Sequence, residues 1–161
     1  MDLPDHRTYR PGPQRHILRT LMGESASWRP RVLLVEDDAE NRRLLRTVLA
    51  EEGISVVGEA GDGTAGVDLA MSLRPDVVLM DLRMPVVAGI GATKQIKQAL
   101  PSTQVVVLTS HVGPLLRHST AAAGAYATLS KDCAPVVIRD TVFHAWRYKV
   151  GLEQAQRLST E

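Results

Sequence analysis

Five short apolar runs, each followed by a stretch of helical periodicity, constrain this chain more than any other feature. Val32–Val35 is a continuous apolar run, as in a strand buried on both faces. Ala39–Glu52 then places Leu44, Leu45, Val48 and Leu49 on one helical face, and Gly53 ends it. Ile54–Val57 predicts a second strand, and Thr64–Leu73 a helix that stops before Arg74-Pro75. The alternation continues with a strand at Val77–Met80, a helix at Ile90–Leu100 closed by Pro101, and a strand at Val105–Leu108. A helix at Leu115–Ala123 ends at Gly124, a short strand follows at Tyr126–Leu129, and Pro135 opens a last helix. Strands alternating with helices predict an α/β fold, a doubly wound sheet of five parallel strands.

The flanks read differently. Residues 1–30 carry Pro4, Pro11, Gly12, Pro13, Gly23 and Pro30, which break regular structure, around a short candidate helix at Gln14–Met22. They are expected to form a loose arm, and it is basic: six arginines stand against three acids over residues 1–31. Residues 31–147 form the α/β domain, and 148–161 a helical extension or tail. In that tail Leu152, Ala155 and Leu158 make a thin apolar stripe that Gly151 weakens. The middle, 32–133, is mildly acidic at −3, which argues against a nucleic-acid-binding surface. A single cysteine, Cys133, excludes an intrachain disulfide. No apolar run approaches the roughly 18–20 residues of a membrane span, and no secretory signal opens the chain. A cytoplasmic location is expected.

In an open parallel sheet, ligands bind outside the carboxyl ends of the strands. Glu36, Asp37 and Asp38 follow the first strand and Asp81 the third; Thr109, Ser110 and His111 follow the fourth, and Lys131 the fifth. Clustered carboxylates repel one another unless a cation neutralises them. Ligands that are all oxygen suit a hard ion, Mg²⁺ before anything softer. A hydroxyl and an ammonium facing them would meet the oxygens of an anion. A carboxylate between a divalent ion and a lysine can act as a nucleophile toward phosphorus. The rim reads as a site that holds a phosphoryl group on Asp81. Asp38 reads as a helix-capping acid. His6, His16, His118 and His144 have no ligand partners in the pattern, so a zinc site is not expected.

These residues carry a resemblance. VLLVEDDAENRRLL at 32–45, VVGEAGDGTAG at 56–66, VVLMDLRMP at 77–85, VVVLTSH at 105–111 and GAYATLSKD at 124–132 resemble the receiver (phosphoacceptor) domain of bacterial two-component response regulators, of the NarL/LuxR type. The resemblance runs from Val32 to about Arg147. It implies that Asp81 is the phosphoacceptor, and that Mg²⁺ is held by Glu36, Asp37, Asp81 and the backbone carbonyl of Arg83. It implies that Thr109 is the switch hydroxyl and that Lys131 pairs first with Asp81 and then with phosphoryl oxygens. Arg83 and His111 take rim positions that modulate phosphoryl-transfer rates. Thr128 stands where many receivers carry Tyr or Phe; Tyr126, two residues earlier, is expected to share its strand face, and both are candidates for the output face. Ala88 replaces an acidic or amide residue common before Gly89.

The implied partners are a histidine kinase or phosphotransfer protein and an unknown downstream protein target; a homodimer is a further possibility. Only about fifteen residues follow Arg147, so no DNA-binding output module and no direct DNA contact are expected. Two other readings stand beside this one. A pseudo-receiver would keep the fold as a phosphorylation-independent interaction module. A dinucleotide-binding domain is prompted by Gly61-Asp-Gly63-Thr-Ala-Gly66, which matches G-x-G-x-x-G after a strand and before a helix. It leaves Glu36, Asp37, Thr109 and Lys131 without a role.

Overall fold

The computed structural model describes residues 29–82 and 86–160. The arm over residues 1–28, with its candidate helix Gln14–Met22, and Arg83, Met84 and Pro85 lie outside the described residues. Five strands, β1 (Arg31–Val35), β2 (Ser55–Ala60), β3 (Val77–Leu82), β4 (Gln104–Thr109) and β5 (Ala127–Ser130), alternate with five helices, α1 (Ala39–Glu51), α2 (Gly63–Leu73), α3 (Val86–Ala99), α4 (Pro114–Ala122) and α5 (Pro135–Leu158). All strands are parallel, in the order β2-β1-β3-β4-β5. β1 and β3 are neighbours from which the chain departs in opposite directions, and their carboxyl ends frame the crevice where such sheets bind ligands.

The apolar runs are apolar throughout because both faces are covered. Val32, Leu34, Val77, Leu79, Val106 and Leu108 point to one side, against Leu49 of α1 and Ile138, Val142, Ala145 and Trp146 of α5. Leu33, Val35, Val78, Met80, Val105 and Val107 point to the other, against Ala70 of α2 and Ala92 and Ile96 of α3. The period of two along each strand thus builds two cores.

Helix starts follow local chemistry. The Asp38 carboxylate accepts from the amides of Glu40 and Asn41 at 3.0 and 2.9 Å, and caps α1 as expected. Asp62 caps α2 through the Ala65 amide at 2.8 Å. α4 and α5 begin on Pro114 and Pro135. Gly53 stops α1 with φ +78°, a conformation glycine adopts without strain.

Several boundaries differ from the pattern reading: β3 runs on through Asp81 to Leu82 and β4 takes in Thr109, so both polar residues pair within the sheet and do not follow it, and α3 starts at Val86 and not at Ile90. β2 runs three residues beyond Val57, because Val57 opposes no residue of β1: Val32 pairs with Val56 and Leu33 with Gly58. This one-residue bulge hides the strand's continuation in the alternation. β5 begins at Ala127, leaving Tyr126 in the bend before it. Residues 148–158 continue α5 without a break at Gly151. Lys149 Nζ bridges Asp76 at 3.0 Å and Glu153 at 2.8 Å, and Ser102 Oγ lies 3.3 Å from Glu153, so tertiary contacts override the glycine's low propensity. No helix among the described residues is long and apolar enough to cross a membrane.

Candidate functional site

At the end of β1, Glu36 is buried to 1% exposure and anchored at three points. Its amide donates to the Ala60 carbonyl at 3.0 Å, its own carbonyl accepts from Arg42 Nη1 at 2.7 Å, and its Oε1 accepts from the Asp38 amide at 3.1 Å. Asp37, next in sequence, is exposed. Asp81 lies within β3, one residue from its end, with its side chain buried. Carboxylate oxygens of Glu36, Asp37 and Asp81 lie within 4.8 Å of one another. Lys131, just past β5, is set in place by its amide, which donates to the Thr109 carbonyl at 2.9 Å. Its ammonium pairs with Asp81 Oδ2 and stands 3.6 Å from Glu36 Oε2. Thr109 ends β4, level with Leu82 in register, and its buried hydroxyl accepts from the His111 amide at 3.3 Å.

The structure therefore brings together Glu36, Asp37, Asp81, Thr109 and Lys131 from four strand ends. Three carboxylates gather beside the Lys131 ammonium, and carboxylates this close repel one another. Glu36 Oε2 is buried and accepts no hydrogen bond. An oxygen-only donor set with a buried carboxylate oxygen to spare fits a hard divalent cation, and Glu36, Asp37 and Asp81 are the side chains that would hold it.

His111 is exposed at the rim, where only its backbone amide meets Thr109. Arg83, expected to supply a carbonyl, lies outside the described residues. Tyr126 and Thr128 do not share a face. Thr128 is buried under α4, with its Oγ1 2.7 Å from Thr120 Oγ1, whereas Tyr126 is exposed and its ring lies 5.8 Å from that of Tyr148 on α5. Tyr126 lies in the bend before β5; its amide donates to the Val105 carbonyl at 2.8 Å, but its ring goes to α5 and not to α4. On α5, Trp146 is buried in the core with Phe143 against it edge to face, while Tyr148 is exposed. Cys133 packs against the core, and burial pushes its thiol up, away from the reactive thiolate. Within Gly61–Gly66, Gly66 serves packing: a Cβ there would come within 2.9 Å of Val35 Cγ2. Arg42 is the site contact that the sequence reading misses. Its one signal is a cation in the first turn of a helix, against the dipole.

The profile of the response regulator receiver domain matches residues 32–143. The chain belongs to that family. This receiver is 41% identical over 124 residues to the transcriptional regulatory protein LiaR of Bacillus subtilis, covering 76% of this chain and 59% of LiaR. It is 44% identical over 108 residues to protein-glutamate methylesterase/protein-glutamine glutaminase 4 of Myxococcus xanthus, covering 65% of this chain and 30% of that protein. The receiver thus spans little more than half of one of these relatives and under a third of the other. Among solved structures, the signal receiver domain of NarL from Mycobacterium tuberculosis superposes with a TM-score of 0.69 at 30% identity, over 74% of this chain and 97% of that one. The dinucleotide-binding alternative falls with this membership.

Proposed function

We propose that this receiver accepts a phosphoryl group on Asp81 from a histidine kinase or a phosphotransfer protein, and that the modified aspartate resets a surface read by a downstream protein. The observation that carries the reading is the setting of Asp81, buried between the Lys131 ammonium and the carboxylates of Glu36 and Asp37. An Asp81 carboxylate oxygen attacks phosphorus in line. The P–O bond forms as the P–N bond to the donor imidazole breaks, and the electron pair leaves with the imidazole. Glu36, Asp37 and Asp81 would hold Mg²⁺, which when bound neutralises charge on the transferring oxygens. Lys131 pairs with Asp81 before transfer and is placed to turn its N–H donors toward the phosphoryl oxygens afterwards. The Thr109 hydroxyl, at the neighbouring strand end, is a second donor for the same group.

The test is intact mass after incubation with a small-molecule phosphodonor, with and without Mg²⁺, beside Asp81→Asn. One added phosphoryl group, dependent on Mg²⁺ and absent in the variant, is the expected result. A chain that gains no phosphoryl group and binds no Mg²⁺ would be a phosphorylation-independent module.

A further inference from the structure

Arg42 occupies the first turn of α1, where the positive end of the helix dipole disfavours a cation. Its side chain turns back from the helix, and Nη1 donates to the Glu36 carbonyl at 2.7 Å. The same guanidinium lies against the turn after β2, since a Cβ at Gly61 would come within 3.5 Å of Nη1. Together with the bonds from the Glu36 amide to Ala60 and from the Asp38 amide to Oε1, this contact immobilises both the backbone and one carboxylate oxygen of Glu36. The free choice left to the residue is Oε2, which faces Lys131 at 3.6 Å.

We propose that Arg42 is a positioning residue for the cation site: by clamping the Glu36 carbonyl it sets where Glu36 Oε2 and the adjoining Asp37 stand. The proposal rests on the reading of the acid cluster as a Mg²⁺ site. The guanidinium has two effects of opposite sign. As a positive charge bonded to the main chain of Glu36 it repels a divalent cation, so on charge alone its removal tightens Mg²⁺ binding. As a clamp it keeps the loop between β1 and α1 in register, so its removal weakens binding. Loss of groups that orient metal ligands typically costs about 10- to 100-fold in affinity. The direction of the change therefore separates a positioning role from mere proximity.

The experiment is calorimetric titration with Mg²⁺, at fixed ionic strength, of the full chain and of Arg42→Ala, Arg42→Lys and Arg43→Ala. Amide hydrogen exchange at Asp37 and Asp38 is followed in the same proteins without Mg²⁺. Arg42→Ala should raise the Mg²⁺ Kd about tenfold and speed exchange of the Asp38 amide, which bonds to Glu36 Oε1. Arg42→Lys, which restores a donor on a flexible stem, should recover part of both. Arg43→Ala, exposed one residue along, should change neither. Unchanged or tighter binding by Arg42→Ala overturns the proposal. If that variant does not fold, Arg42→Lys decides by the same criterion. A flat titration of the unsubstituted chain overturns the metal-site reading itself, an outcome distinct from equal binding by chain and variant.

Discussion

At Lys131 one ammonium meets two buried carboxylates, Glu36 and Asp81, with Asp37 close by. Carboxylates gathered this closely repel one another, and the proposed Mg²⁺ would relieve that repulsion. At Mg²⁺ a hundredfold above its Kd, mass action adds about 2.7 kcal/mol to unfolding. Urea denaturation should show that gain in the unsubstituted chain and much less of it in Asp81→Asn. Lys131→Met should cost the metal-free protein about 3 kcal/mol, because it removes an ammonium that two buried carboxylates share; the same denaturation series checks it. Asp81, Thr109 and Lys131 are legible in the sequence because each stands at or next to the end of an apolar run, and strand ends are where parallel sheets gather chemistry. Arg42 is barely legible: its acceptor is a main-chain carbonyl, which no residue type announces, and its one signal is a cation in the first turn of a helix.

The unit of interest among elements is the join of α4 to β5. Thr120 and Thr128 share a buried hydroxyl–hydroxyl bond of 2.7 Å, and Thr120 Oγ1 also lies 3.0 Å from the Leu116 carbonyl of its own helix. The two partners are unequal. Thr120→Val leaves the Thr128 hydroxyl buried with its bond gone, whereas Thr128→Val leaves Thr120 its helix carbonyl. Thermal denaturation should find Thr120→Val costing about 2 kcal/mol, Thr128→Val about 1 kcal/mol, and the double variant no more than Thr120→Val alone. Thr128 at this position is visible in the sequence, but its partner eight residues back is not, since that pairing exists only once α4 has folded onto the sheet. The same limit applies to Tyr126. A period-two reading puts it on the Thr128 face, and its contact with Tyr148 on α5 exists only once that helix has packed onto the sheet.

Across the whole molecule, α5 is held at both ends of the sheet. Its start follows the loop that carries Lys131, and its later turns are fixed by Lys149 between Asp76 and Glu153. Burial alone would lower the Lys149 pKa, but its hydrogen bonds to Glu153 and Asp76 outweigh that and hold it above the ordinary lysine value. A raised pKa in the folded state gives stability that is present below the unfolded value and fades as pH rises through the folded one. Lys149→Met should therefore cost about 1 kcal/mol equally at pH 6 and pH 9, and the difference should shrink above about pH 10.4, as read by chemical denaturation. The sheet, its five strands and the order of elements are legible because buried parallel strands must be apolar on both faces. The length of α5 is less so, because Gly151 argues for a stop and the contacts that carry the helix past it come from Asp76 and Ser102, far away in sequence.

Asp76 has a geometric consequence. One of its oxygens accepts from the Arg31 amide at 2.8 Å and the other from Lys149 at 3.0 Å, so the incoming strand and the outgoing helix meet at a single carboxylate. The start of β1 and the later turns of α5 are gathered at one pole of the sheet, and the acidic cluster of Glu36, Asp37 and Asp81 occupies the opposite one. The first strand and the last helix thus lie side by side where they leave the sheet, the arrangement that lets a domain be inserted between other segments at little loop-closure cost.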